Sequence, residues 1–169
     1  MGNIQKLLDS VRDGDITAFE ALYETMKKPL YTIILRITHD TAMSEDILQD
    51  MFLKIYLSTP APTSNPRAYL CRMAHNLAID SMRKRKQAST LDDAASLPDH
   101  SADNLSQRID IEEALSSLSE RDRRIVSLHI NGELKFREIA SIMEVPLGTV
   151  LWAYQKSIKQ LQRILGGAL

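Results

Sequence analysis

Gly132 to Val150, GELKFREIASIMEVPLGTV, carries two short helical patterns on either side of a break. Phe136, Ile139, Ala140 and Met143 recur at helical spacing and share one face. Glu144-Val145-Pro146 interrupts the pattern, and Gly148-Thr149-Val150 opens a second helix. Ala140 is small enough for two helices to cross closely, while Val145 and Val150 are placed to seal the corner. This is the layout of a helix-turn-helix, whose second helix enters the major groove of duplex DNA. Helix pairs with tight turns also occur in plain bundles, so the rest of the chain has to decide.

Outward from that stretch, the periodicity stays helical and no run of alternating β-branched residues interrupts it. Ser119, followed by Asp122, suggests a capping box for a helix carrying Ile125, Val126 and Leu128, which stops at Asn131-Gly132. Ile111, Leu115 and Leu118 place another apolar stripe upstream, beginning near Ile109. Before it, Gln87 to Gln107 is small, polar and acidic, contains Pro98, and reads as a flexible linker. In the amino-terminal half, Ile4, Leu7, Leu8 and Val11 predict a short helix stopped near Asp13-Gly14. Asp15 then caps a long helix with the stripe Phe19, Leu22, Tyr23, Met26, Leu30, Ile33, Ile34 and Ile37, with Pro29 placed to bend it. A third helix, after His39-Asp40, turns Ile47, Leu48, Met51, Phe52 and Ile55 inward and leaves Glu45, Asp46, Gln49 and Asp50 outside. Ser58 to Ser64 is a Pro- and Ser-rich loop; Asn65 and Pro66 then open a helix that buries Leu70, Met73, Ala74 and Leu77 and ends in Arg83-Lys84-Arg85-Lys86. The expected architecture is all-α: two small helical domains, 1–86 and 108–169, joined by the acidic flexible linker 87–107.

A net charge of −1 over 169 residues conceals a strong division along the chain. Residues 1–59 carry 6 basic and 9 acidic side chains, and residues 60–89 carry 6 and 1. Residues 90–120 carry 1 and 8, and residues 121–169 carry 8 and 4. Two basic blocks separated by an acidic spacer suit two contacts with phosphate. The single Cys71 excludes an internal disulfide and a cysteine zinc framework, and reads as a buried small residue. No run approaches the roughly 20 apolar residues of a membrane span. The start, MGNIQK, lacks a signal-peptide layout, and Lys6 stands where a myristoylation motif needs Ser or Thr. The expected location is cytoplasmic, with no membrane insertion, metal or other cofactor, and no further carboxy-terminal domain after Leu169.

The order of these parts resembles an extracytoplasmic-function (ECF) sigma factor of the sigma-70 family, the minimal kind with regions two and four only. The matching residues are Asp15 with Ala18 to Tyr23, Ser44 to Phe52, Asn65 to Leu70, Ala74 to Asp80, Leu118 to Arg121, and Phe136 to Val150. The resemblance implies a non-enzymatic protein that binds core RNA polymerase, directs it to a promoter and helps separate the strands there; an anti-sigma factor is an expected partner. Docking on the β′ coiled coil of polymerase falls to Glu45, Asp46, Gln49, Asp50 and Phe52, with Phe52 equally readable as core. The β flap of core polymerase is a further expected contact.

Reading of the melted minus-ten strand falls to Asn65, Arg67, Tyr69, Arg72, His75, Asn76, Arg83, Lys84, Arg85 and Lys86. These supply charge, stacking and base-edge hydrogen bonds to unpaired bases; Tyr69 is also readable as core and His75 as helix surface. The minus-thirty-five duplex falls to Pro146, Leu147, Gly148, Thr149, Trp152 and Gln155, with Arg123, Arg124, Lys135, Arg137, Lys156 and Lys159 on the backbone. Helix-start amides and the Thr149 hydroxyl suit a phosphate. Many relatives carry two cations where this chain has Leu151-Trp152-Ala153-Tyr154-Gln155, so its base readout departs from the family pattern. Leu151 and Trp152 either pack inward or, for Trp152, lie on a sugar or thymine methyl, while Gln155 suits adenine. Lys135 replaces a hydroxyl cap. The acidic spacer is either a mimic of nucleic acid in a polymerase channel or an ordinary tether. The alternatives are a stand-alone helix-turn-helix regulator with a helical sensor domain, which leaves Asn65 to Asp80 unexplained, and a serine recombinase, which needs strands the amino-terminal half lacks.

Overall fold

The structure, a computed structural model, describes residues 2–58, 63–89 and 105–166. The chain divides into two compact units, residues 1–97 and 98–169. All regular elements among the described residues are helical. In the first unit these are α1 (Gly2–Arg12), α2 (Ile16–Thr38), α3 (Thr41–Leu57) and α4 (Pro66–Ser89); the second contains α5 (Leu105–Ser116), α6 (Glu120–Ile130), α7 (Phe136–Met143) and α8 (Leu147–Gly166). Thr59 to Pro62 of the expected loop, and residues 90–104 of the expected linker with Pro98, lie outside the described residues. The two expected linker boundaries fall inside helices: α4 runs through the basic run to Ser89, and α5 has begun by Leu105.

α2 is the spine of the first unit and packs against α1, α3 and α4. Asp15 caps it, accepting the Ala18 N–H at 3.1 Å, and the helix passes Pro29 unbroken. Leu22, Met26, Leu30, Ile33, Ile34 and Ile37 are buried as the stripe predicts; Phe19 and Tyr23 are half-buried. In α4 the buried residues are Leu70, Cys71, Ala74 and Ala78, whereas Met73 and Leu77 are only half-buried. Small residues at the contact let α4 lie close against α2, which displaces the larger side chains to the flank.

The corner between α2 and α3 is polar. His39 sits at φ 53° and ends α2, and Thr38 Oγ1 and the buried Ser44 Oγ share a 2.7 Å hydrogen bond. Asp40 Oδ1 accepts the Met43 N–H at 3.0 Å, capping α3, while Asp40 Oδ2 accepts from Arg85 Nη1 of α4 at 2.9 Å. The Met43 amide and the Arg85 guanidinium together hold the Asp40 carboxyl below the usual carboxylate range against partial desolvation.

In the second unit α8 packs against α5, α6 and α7. Ala114, Leu118, Ile125, Val126, Leu128, Leu134, Ile139, Ile142, Val150 and Ala153 form its core. Two expectations shift here. Ile111 is exposed and Leu115 half-buried, Ala114 taking the inward place; and Ile142 is more deeply set than Phe136, Ala140 or Met143. The eight-residue α7 is so short that its place against α6 and α8, rather than its own periodicity, decides which side is covered.

Because Asp40 has a depressed folded-state value, its contribution to stability is fully present above the unfolded carboxylate range near pH ~4 and is lost as pH falls through the folded value. Asp40→Asn keeps an acceptor for Met43 but loses the charge facing Arg85. We expect the variant to be less stable at pH 7 and to lose less stability than the wild type between pH ~5 and ~2, measured by chemical denaturation at each pH. Parallel pH profiles for the two proteins would remove this role.

Candidate polymerase and nucleic-acid interfaces

The outward face of α3 carries Glu45, Asp46, Gln49 and Asp50, all exposed, with the core side chains Ile47, Leu48, Met51 and Ile55 beneath. Phe52 is not on that face. It is 3% exposed and packs edge-on against Phe19 and Tyr23, at ring distances of 6.2 and 4.8 Å. Its expected contact role is therefore corrected to support of the face from below. In its place the outward row continues through Leu53, Tyr56 and Leu57, three exposed apolar residues. The sequence held a signal for them: Leu53 and Leu57 fall off the inward stripe of α3, where a solvated helix would carry polar groups. The face is thus acidic along its first half and apolar along its second.

α4 begins where Asn65 Oδ1 accepts the Ala68 N–H at 3.0 Å, so Asn65 caps the helix. The loop before it is tied to α1 through the Thr63 N–H and Gln5 Oε1 at 3.5 Å. Tyr69, Arg72, Asn76 and Arg83 fall on one helical row, and all are exposed. Arg67 is half-buried at the margin. His75 leaves this row: it is 7% exposed, and its Nδ1 lies 3.3 Å from Asn76 Oδ1. A helical step from Arg72 and Asn76 turns His75 inward, so its expected contact with a base is corrected to a buried position. In the basic run Lys84 and Lys86 are exposed and Arg83 pairs with Asp80, three residues away at 3.1 Å on the surface. Such a pair is weak and yields to a phosphate. Arg85 is committed to Asp40.

In the second unit α7 and α8 make the helix-turn-helix. Lys135 precedes α7 with no side-chain cap, since an ammonium has no acceptor. The Glu138 carboxylate supplies the return bond, accepting the Lys135 N–H at 2.7 Å. Glu144 ends α7 at φ 55°, and the Val145 N–H donates to the Ala140 carbonyl at 3.1 Å. A ring cluster fixes the three helices: His129 of α6 stacks on Phe136 at 4.4 Å, and both meet Tyr154 of α8 at 4.7 and 5.0 Å. His129 Nδ1–H donates to the Leu134 carbonyl at 2.8 Å. No local pattern marks this cluster, because its rings come from three separate helices.

α8 presents Gly148, Trp152, Gln155, Lys156 and Lys159 to solvent, with the preceding Pro146 also exposed and Leu147 and Thr149 half-buried. Trp152 does not pack inward, and the exposed Leu151 stands beside it. The Thr149 N–H is taken by the Pro146 carbonyl at 3.0 Å, which leaves the Leu147 and Gly148 amides for an anion at this helix start. A Cβ added at Gly148 would meet nothing within 4 Å. Lys135 and Arg137 are exposed near the start of α7. Arg163, which the sequence reading passed over, is exposed and lines a groove with Trp152, Lys156 and Lys159.

Three cations assigned to backbone phosphate prove to be engaged within the fold. The Arg123 guanidinium donates to the carbonyls of Leu115, Ser116 and Leu118 at 2.9, 3.1 and 3.1 Å, capping the end of α5; its expected DNA contact is corrected to this structural role. Arg124 Nε donates to the Glu120 carbonyl at 3.3 Å on the surface. Lys156 Nζ lies 3.5 Å from Asp122 Oδ2 and 5.2 Å from the Trp152 ring centroid. Asp122 is 3% exposed, and its own N–H is capped by Ser119 Oγ at 3.2 Å. The box expected there is thus half made, the carboxylate reaching across to α8 instead.

The comparisons with known proteins meet this geometry at both units. Sigma-70 region 2 matches residues 22–88, and Sigma-70, region 4 matches residues 108–163. The chain belongs to the ECF sigma factors of the sigma-70 family. The ECF RNA polymerase sigma factor SigK of Mycobacterium sp. (strain JLS) is 28% identical over 97% of this chain and 91% of its own length. SigW of Bacillus subtilis (strain 168) is 26% identical over 96% of each. In fold, this ECF sigma factor is similar to the sigma factor RpoE in its complex with the anti-sigma factor NepR from Bartonella quintana, with a TM-score of 0.73, 22% identity, and coverage of 89% of this chain and 98% of that one. It is also similar to CnrH in complex with the cytosolic domain of CnrY, with a TM-score of 0.68, 19% identity and 98% coverage of each chain.

Removing the Arg123 cap separates structure from DNA contact. Arg123→Ala is expected to destabilise the protein by about 1–2 kcal/mol in urea denaturation. It should leave the slope of log Kd against log salt for promoter binding unchanged. Lys159→Ala should instead lower that slope by about 0.9 without loss of stability. A reduced slope in Arg123→Ala would return it to the phosphate contacts.

Proposed function

We propose that this alternative sigma factor divides its work between two binding units and a tether. Residues 1–86 bind core polymerase and the melted minus-ten strand, residues 108–169 bind the minus-thirty-five duplex, and 87–107 tether them so that both can engage one promoter. The observation that carries this reading is the coexistence of an acidic-then-apolar α3 face, a basic row on α4 and an exposed recognition helix in one chain.

For polymerase, Glu45, Asp46, Gln49 and Asp50 give an electrostatic frame for a basic helical partner, the β′ coiled coil, and Leu53, Tyr56 and Leu57 give the apolar anchors that supply most binding energy at such contacts. On α4, Tyr69 offers a ring to an unstacked base, and Arg72, Asn76, Arg83, Lys84 and Lys86 follow its strand. On α8 the Leu147 and Gly148 amides take a phosphate at the groove edge while Trp152 and Gln155 face the bases. The second unit also meets the β flap. The protein supplies no catalytic group of its own; the chemistry of RNA synthesis is the polymerase's. No described helix is long and apolar enough to cross a membrane, and we place the working protein in the cytoplasm, beside polymerase. An anti-sigma factor would act by covering the α3 face, in competition with core.

Run-off transcription with purified core polymerase on a panel of candidate promoters tests the whole reading, and failure to bind core would end it. Within it, Gln49→Ala combined with Asp50→Ala is expected to weaken core binding about tenfold with unchanged helicity. Unchanged affinity would move docking elsewhere. Joint replacement of Arg83, Lys84 and Lys86 by Ala should reduce open-complex formation more than core binding; an equal loss in both would show that the basic row faces protein.

A further inference from the structure

We propose that Trp152 selects a thymine in the upstream duplex through its 5-methyl group, and that Lys156, anchored on Asp122, is the positioning residue that holds the indole for this contact. The inference rests on the reading of α8 as the groove-entering helix, and adds to it the identity of a base.

Trp152 is the only tryptophan of the chain and is 59% exposed. A large apolar ring standing in water is an unfavourable arrangement for the free protein, and it gains when a partner covers it. Between Leu147 and Gln155 α8 has no Lys or Arg, so its first two turns cannot make the bidentate cation contact that reads guanine. The groups it does present are the indole, the Leu151 side chain, the Thr149 hydroxyl and the Gln155 amide. An apolar surface beside an amide complements a thymine methyl beside an adenine edge, and no other base offers a methyl in the major groove.

The ring is also held. Lys156 lies one turn beyond Trp152, with Nζ 5.2 Å from the ring centroid, in the range of a cation–π contact. That ammonium is 3.5 Å from Asp122 Oδ2, and Asp122 is a buried residue of α6. The chain of contacts runs from the core of the unit, through one flexible side chain, to an exposed ring. Its effect is to restrict the indole before DNA arrives, so that less side-chain freedom is lost on binding. In this proposal Lys156 acts as a positioning residue for the indole.

The test uses the full chain bound to core polymerase and a pool of duplexes randomised over about twelve base pairs, slightly more than one helical turn. Each thymine of the selected sequence is then replaced singly by deoxyuridine, which removes only the methyl. At one position the replacement should weaken wild-type binding about fourfold, the value of one buried methyl. Trp152→Ala should bind more weakly and be indifferent to that replacement. Lys156→Met should shrink the methyl effect, lower the fluorescence anisotropy of the single tryptophan in the free chain, and leave the salt slope as it was. An enriched sequence with no methyl-sensitive thymine, or one whose sensitivity survives in Trp152→Ala, overturns this inference and leaves the duplex-reading role of α8 intact. A salt slope lowered by about 0.9 in Lys156→Met overturns the positioning role. A pool in which core with this chain enriches nothing overturns the reading of α8 itself.

Discussion

One carboxylate, that of Asp40, is shared between the two helices on which the first unit's interfaces stand. One oxygen accepts an amide at the start of α3, and the other accepts from Arg85 near the end of α4. A capping carboxylate must sit close to its helix axis, and an ion pair of 2.9 Å leaves little latitude between its members. The acidic-apolar face of α3 and the basic row of α4 are therefore fixed with respect to each other by a group belonging to neither surface. The buried Thr38 and Ser44 hydroxyls satisfy one another beside it, so the corner can be both polar and closed.

The second unit uses the same device with a different outcome. Asp122 is buried at the start of α6 and reaches Lys156 of α8, while Arg123, its neighbour, turns back to collect three carbonyls at the end of α5. Adjacent charged residues thus face opposite ways, one toward the recognition helix and one toward the helix before it. In both units a cation that composition assigns to nucleic acid is consumed internally. By contrast Arg83, Lys84 and Lys86 in the first unit and Arg137, Lys159 and Arg163 in the second are exposed, and Arg83 meets Asp80 only at the surface. Charge counting alone overstates the electropositive surface by the residues that the fold has already neutralised.

The apolar continuation of the α3 face bears on how such a protein is regulated. Leu53, Tyr56 and Leu57 are exposed together and continue a polar row along one helix, so a partner that covers the row also buries them. Two partners competing for that row exclude one another by simple occupancy, without a change of shape in the sigma factor.

The sequence by itself determined the helical class, the caps and the outward row of α3. Asp15 and Asn65 are short acceptors immediately before apolar periodicity, and that signal is local. It also determined that Glu144-Val145-Pro146 breaks the motif and that the basic blocks lie in two places. The tertiary structure alone decided which residues of those rows are available. Phe52 and His75 share helices with surface residues, and only the packing of α2 and α4 around them makes them core. Arg85, Arg123 and Lys156 find partners 45, 5 to 8, and 34 residues away, and no local pattern encodes the direction in which a long cation turns. The same holds for Trp152: its exposure follows from Ala153 and Val150 taking the inward places of α8, a choice made by the three-helix corner and not by the helix itself.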